Sequence, residues 1–156
     1  MRKRRIKQGK KIYLIKATLR DWFGRVKDLP SRTLAIPEKS SLYSLAKTIV
    51  DSFGFDFDHA FGFYDNTENW SKSKEGYELF SDMGEESEFE GVKETRIGKV
   101  FTKIGKRMLF LFDYGDEWHF ILELQEIKQA KEEKYPLIVE SIGEAPSQYG
   151  KTEEEF

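Results

Sequence analysis

Apolar positions along this 156-residue chain switch between two spacings, and the switches mark its elements. Ile12-Tyr13-Leu14-Ile15-Lys16-Ala17-Thr18-Leu19 is rich in β-forming residues and bounded by charge, which predicts a strand. Arg32 to Ile36 alternates polar and apolar and stops at Pro37, a second strand reached through Asp28-Leu29-Pro30. The spacing then changes. Leu42, Leu45, Ala46, Ile49, Val50 and Phe53 form one continuous stripe at helical spacing, predicting a helix over 41–53. Ser40 or Ser41 suits its N-cap, and Gly54 stands where a left-handed residue ends a helix.

An aromatic strand follows over Ala60 to Tyr64, and then a polar stretch, 65–90, with Tyr77-Glu78-Leu79-Phe80 as a short strand. Thr95 to Phe101 suits one or two helical turns, weakened by Gly98. Two strongly apolar runs, Met108–Phe112 and Trp118–Leu124, flank a turn at Gly115, predicting a hairpin over 107–126. With Tyr114 to Glu117 as the loop and Asp113 facing Trp118, Leu109 and Leu111 share a face with Phe120 and Leu122. Phe110 and Phe112 then share the other face with His119 and Ile121. Both faces are apolar near the turn, so the hairpin belongs at the centre of a sheet covered on both sides. Lys128 to Lys134 reads as a solvated run, Tyr135 to Val139 as a last strand, and Pro146 to Gly150 as coil. Interspersed strands, a hairpin and one main packed helix (41–53) make an α+β single domain with a mixed or largely antiparallel sheet.

Composition narrows the chemistry. Hydrophobic content is 38%, but 13 phenylalanines raise the aromatic share to 15%, enough large side chains for one core. The absence of cysteine excludes disulfides, thiolate catalysis and cysteine-type zinc sites. Charged residues at 35%, with Asn66 and Asn69 the only asparagines, match the composition of proteins from hot environments. No apolar run reaches the length of a membrane span and Met1 is followed by charges, so a soluble, cytoplasmic protein is expected.

The net charge of −2 hides an asymmetry. Arg2, Lys3, Arg4, Arg5, Lys7, Lys10 and Lys11 crowd residues 1–11, and without those seven positive charges the rest of the chain stands at −9. The expected organisation is a basic flexible arm (1–11), a folded domain (12–150) and an acidic tail (151–156). The arm suits either an ordinary solvated terminus or a weak nucleic-acid contact.

Two acidic segments carry the candidate site. Asp56-Phe57-Asp58-His59 follows the helix directly, and Asp113-Tyr114-Gly115-Asp116 with Trp118 forms the hairpin turn. Asp56, Asp58, His59, Asp113 and Asp116 are material for a hard metal or general acid–base site, with His119 a second imidazole. Their spacing matches no metal motif, and aspartates in turns commonly bond to backbone amides instead. The structural reading is therefore preferred, and no cofactor or resident metal is expected. GxSxG, Walker and dinucleotide glycine patterns are missing.

Phe112-Asp113-Tyr114-Gly115-Asp116-Glu117-Trp118, the run Leu42…Leu45…Phe53-Gly54-Phe55-Asp56-Phe57-Asp58-His59…Phe63, and Tyr135-Pro136 with Gly143 to Gly150 together resemble a known family. It is the plasmid pRi open-reading-frame-three-like domain family, with TnpR-like passenger proteins of insertion sequences, matched in order over residues 12–150. The resemblance implies one α+β domain associated with plasmids and mobile elements, and no established activity, cofactor or partner. The family often has Trp at Ser31 and Phe55 and a further His at Phe120, whose loss weakens an acid–base role for the turn. The residues thus favour a non-catalytic binding or accessory domain. A metal-dependent hydrolase or nuclease using the Asp/His cluster is the alternative.

Overall fold

The computed structural model describes residues 10–20, 26, 28–132 and 134–149. Seven strands form one sheet: β1 (Lys11–Leu19), β2 (Ser31–Pro37), β3 (Phe61–Tyr64), β4 (Gly76–Glu78), β5 (Arg107–Phe112), β6 (Trp118–Gln129) and β7 (Leu137–Ile142). Their order is β4-β3-β5-β6-β1-β2-β7, and every neighbouring pair is antiparallel. Among the described residues the helices are few: α1 (Leu42–Ser52), the single turns α2 (Leu79–Asp82) and α3 (Ile97–Val100), and a short 3-10 turn at Trp70–Lys72. This is a strand-rich mixed fold.

α1 begins where its stripe begins. Ser41 caps it by accepting the Ser44 amide at 3.0 Å, and Gly54 beyond its end adopts φ 73°. Leu42, Leu45, Ala46, Ile49 and Val50 are buried in the same apolar cluster as one face of the sheet. Arg32, which is buried, ties the helix end to the sheet. Its guanidinium lies 4.6 Å from the Phe53 ring centroid and donates to carbonyls of Ser31, Ser52, Ile142 and Gly143. Burial lowers its pKa.

The β5–β6 register differs from the expected one by a residue. Phe112, not Asp113, faces Trp118, so the loop has five residues, 113–117. The cause is backbone: Asp113 has φ 68°, a left-handed value that stops β5 at Phe112, and Glu117 at φ 51° closes the loop before β6. A slip of one residue exchanges faces. Phe110, Phe112, Trp118 and Phe120 therefore share the α1 side, and Leu109, Leu111 and His119 the other. Both faces are still buried at the turn.

Other elements shift as well. β6 continues past residue 126 to Gln129 because β1 pairs with its polar half, Lys11 opposite Gln129. Tyr77 to Phe80 divides between the end of β4 and the start of α2. The last strand begins after a cis Tyr135–Pro136 bond and runs later than expected.

On the face away from α1, Tyr114 lies over β3 and hydrogen-bonds Tyr64 at 2.6 Å between hydroxyls. Gly62 is required beneath them, since a Cβ there would sit 2.6 Å from the Tyr114 hydroxyl. The Tyr64 hydroxyl also bonds Glu78, and burial pushes both phenols up. Of the expected arm only Lys10 and Lys11 are among the described residues, and the acidic tail lies outside them.

Candidate functional site

Asp113 organises the signature turn. Its amide donates to the Ala60 carbonyl at 2.9 Å, which anchors the turn to the start of β3. Its Oδ1 accepts the amides of Gly115 (3.0 Å) and Asp116 (3.2 Å), so the carboxylate holds the loop's own backbone. The other oxygen, Oδ2, lies 3.5 Å from His59 Nε2.

That nitrogen is a meeting point. Asp58 Oδ1 stands 3.3 Å away and the Tyr149 hydroxyl 3.5 Å away, while Tyr149 donates to Asp58 Oδ2 at 2.7 Å. Hydrogen bonding to Asp58, with desolvation and the fields of Asp58, Asp56 and Asp113, pushes the Tyr149 phenol up to about 12. Gln148 brings this tyrosine into place. Its side-chain amide accepts from the Asp56 amide at 2.6 Å and donates to the Asp56 carbonyl at 3.1 Å, gripping one residue by both backbone groups.

Three of the five candidate acid–base residues thus converge: Asp58, His59 and Asp113. Asp56 takes part through its backbone, and Asp116 gives Asp113 its amide. Both carboxylates and the phenol approach the same imidazole nitrogen, so no relay runs across the ring. Among the described residues no group of three or more His, Asp or Glu is placed to hold a metal ion.

His119, on the opposite face of the sheet, belongs to a second and buried arrangement. Arg20 Nη2 lies 3.2 Å from its Nδ1 and Glu117 Oε1 3.1 Å from its Nε2, while Trp70 Nε1 donates to the same Glu117 oxygen at 3.2 Å. A guanidinium only donates, so Nδ1 accepts and Nε2–H faces the carboxylate. Arg20, Glu117, Trp70, Gln148 and Tyr149 were not singled out as partners from the sequence. Alternation offers one clue: with Trp118 on the α1 side, His119 must face away from it.

A groove of about 480 Å³ lies at one end of the sheet, lined by Lys10, Lys11, Pro37, Glu38, Lys39, Ser40 and Gln129. Lys10 is held there by its carbonyl, which accepts the Ala130 amide at 2.9 Å. Three lysines face one glutamate.

A family model described as "Plasmid pRiA4b ORF-3-like protein" matches residues 11–151. No curated protein sequence matches the chain. A solved structure of a protein of unknown function from Methanosarcina mazei Go1 is similar in fold. Its TM-score is 0.68 at 19% sequence identity, over 85% of this chain and 70% of that one. No helix among the described residues is long and apolar enough to cross a membrane.

Proposed function

The chain belongs to the plasmid pRiA4b ORF-3-like family, and from that premise we propose that it is a non-catalytic accessory domain of plasmids and mobile elements. In this reading it is a cytoplasmic, TnpR-like passenger protein, from a thermophilic source, that contacts nucleic acid weakly through its basic end. The observation that supports the reading is the groove at Lys10, Lys11 and Lys39, and in the sequence Arg2, Lys3, Arg4, Arg5 and Lys7 come just before Lys10. The rest of the protein carries net negative charge and repels phosphate, so affinity resides at this end. The acidic turn is architectural: one Asp113 oxygen serves the loop backbone and Gln148 occupies the backbone of Asp56.

Duplex and single-strand binding across a salt series tests this. The full chain is expected to bind weakly and without sequence preference, log affinity falling with log salt by about 0.9 per duplex phosphate neutralised. Removing residues 2–9 and reversing Lys10 and Lys39 to Glu should abolish binding with the fold intact by circular dichroism. Salt-insensitive binding that survives both changes refutes the reading, as does no binding by the full chain.

The alternative reading is a metal-dependent hydrolase or nuclease using Asp56, Asp58, His59, Asp113 and Asp116. It draws on the convergence of Asp58, His59 and Asp113, and the lack among the described residues of a group placed to hold a metal ion ranks it second. Its signature is nucleic-acid cleavage that requires a divalent cation and disappears in Asp58→Asn.

A further inference from the structure

The two edges of the sheet are finished differently. At β4 the edge is three residues long, Gly76 and Tyr77 are buried, and Glu90 bridges alongside Tyr77. Such an edge offers little to another strand. At the other end, β7 pairs with β2 and with no other strand among the described residues, and all six of its residues are exposed. Four are large and apolar: Leu137, Ile138, Val139 and Ile142, at 37–52% exposure. The strand has no lysine or proline, and Glu140 is its single charge. One irregularity remains: Thr33 pairs with Glu140 and Leu34 with Ile138, leaving Val139 as an extra residue opposite β2.

We infer that β7 is the seat of a homodimer, in which a second copy pairs antiparallel to it along this edge. A two-fold axis at Val139 suits the strand's own pattern. Each arm beside the irregularity then becomes the partner of the other: Leu137 lies opposite Ser141 of the second copy, and Ile138 opposite Glu140. Glu140 avoids its own copy, so no like charges face each other. At the two ends the same register brings Lys134 toward Glu144 of the second copy, and both residues are exposed. Antiparallel addition continues the order of a sheet that is antiparallel throughout. An isologous pair also consumes the open edge, leaving only the two blunt β4 edges outside, so assembly closes at two. The contact rests on one six-residue strand per copy, so the dimer is weak and concentration-dependent.

Sedimentation velocity of the full chain over a concentration series should show a reversible monomer–dimer equilibrium. Val139→Lys should weaken dimerisation at least about tenfold and leave the thermal midpoint of the monomer unchanged, because the side chain is already exposed. Lys134→Glu should weaken it less, and adding Glu144→Lys should restore it. A wild-type chain monomeric over the whole series overturns the inference. So does a Val139→Lys variant that dimerises as the wild type does, or growth beyond the dimer.

Discussion

Asp113 is the residue on which the signature turn depends. It combines a left-handed backbone, a side chain that accepts two loop amides, and an oxygen directed at His59. Replacement by Ala leaves both amides without that acceptor and places a residue poorly suited to positive φ in the loop. Asp113→Ala should cost about 1–3 kcal/mol in urea unfolding. Asp113→Asn keeps an accepting oxygen and tolerates the left-handed region, so its loss should be clearly smaller. Equal losses for the two variants would show that the loop does not depend on this acceptor. The same residue explains why the hairpin register was not readable beforehand. Apolar alternation constrains which residues are in strands, but the sign of φ at Asp113 determines where pairing stops, and Asp tolerates both signs. Tyr149 and Gln148 escaped for a different reason: each meets its partner about ninety residues away, and no local pattern encodes that contact.

Among the elements, α1 binds its layer to the sheet through side chains with no exposure at all, Leu45 and Ile49 among them. Truncating either to Ala should cost about 2–5 kcal/mol, with the denaturant slope unchanged; a loss under half a kcal/mol at both sites would show the stripe to be loosely packed. This helix was legible because six residues repeat one spacing without interruption. β1, β2 and β3 were legible to within a residue or two for a similar reason: apolar runs closed by Pro or charge. The far half of β6 was not. Gln125 to Gln129 is exposed and, Ile127 apart, polar, and it is a strand because β1 lies beside it. β7 shows the same dependence on a neighbour, starting at Leu137 where its pairing with Ala35 of β2 starts.

At the scale of the molecule, the tyrosines make the fold sensitive to alkali. Burial raises the phenol pKa values of Tyr13, Tyr64, Tyr77 and Tyr114, with hydrogen bonds to Glu38, Glu78 and Glu75 adding to the rise at the first three. The folded chain therefore holds these protons more tightly than the unfolded one. Their stabilisation is complete below about pH 10, the unfolded value, and is lost as pH rises through the folded values. Phenolate absorbance should show part of the seven tyrosines titrating only as the protein unfolds. Complete titration near pH 10 by a chain that keeps its circular dichroism would contradict these environments. The strand order carries another consequence, for how the protein comes into being. β1 lies between β2 and β6, and Leu19 is opposite Phe120. At a synthesis rate of about 5–20 residues per second, β1 waits roughly 5–20 seconds for its second partner. Throughout that interval Ile15, Ala17 and Leu19 have β2 and α1 for shelter but not the β5–β6 half of their cluster, and this nascent stage leaves the chain open to chaperones and to its own kind.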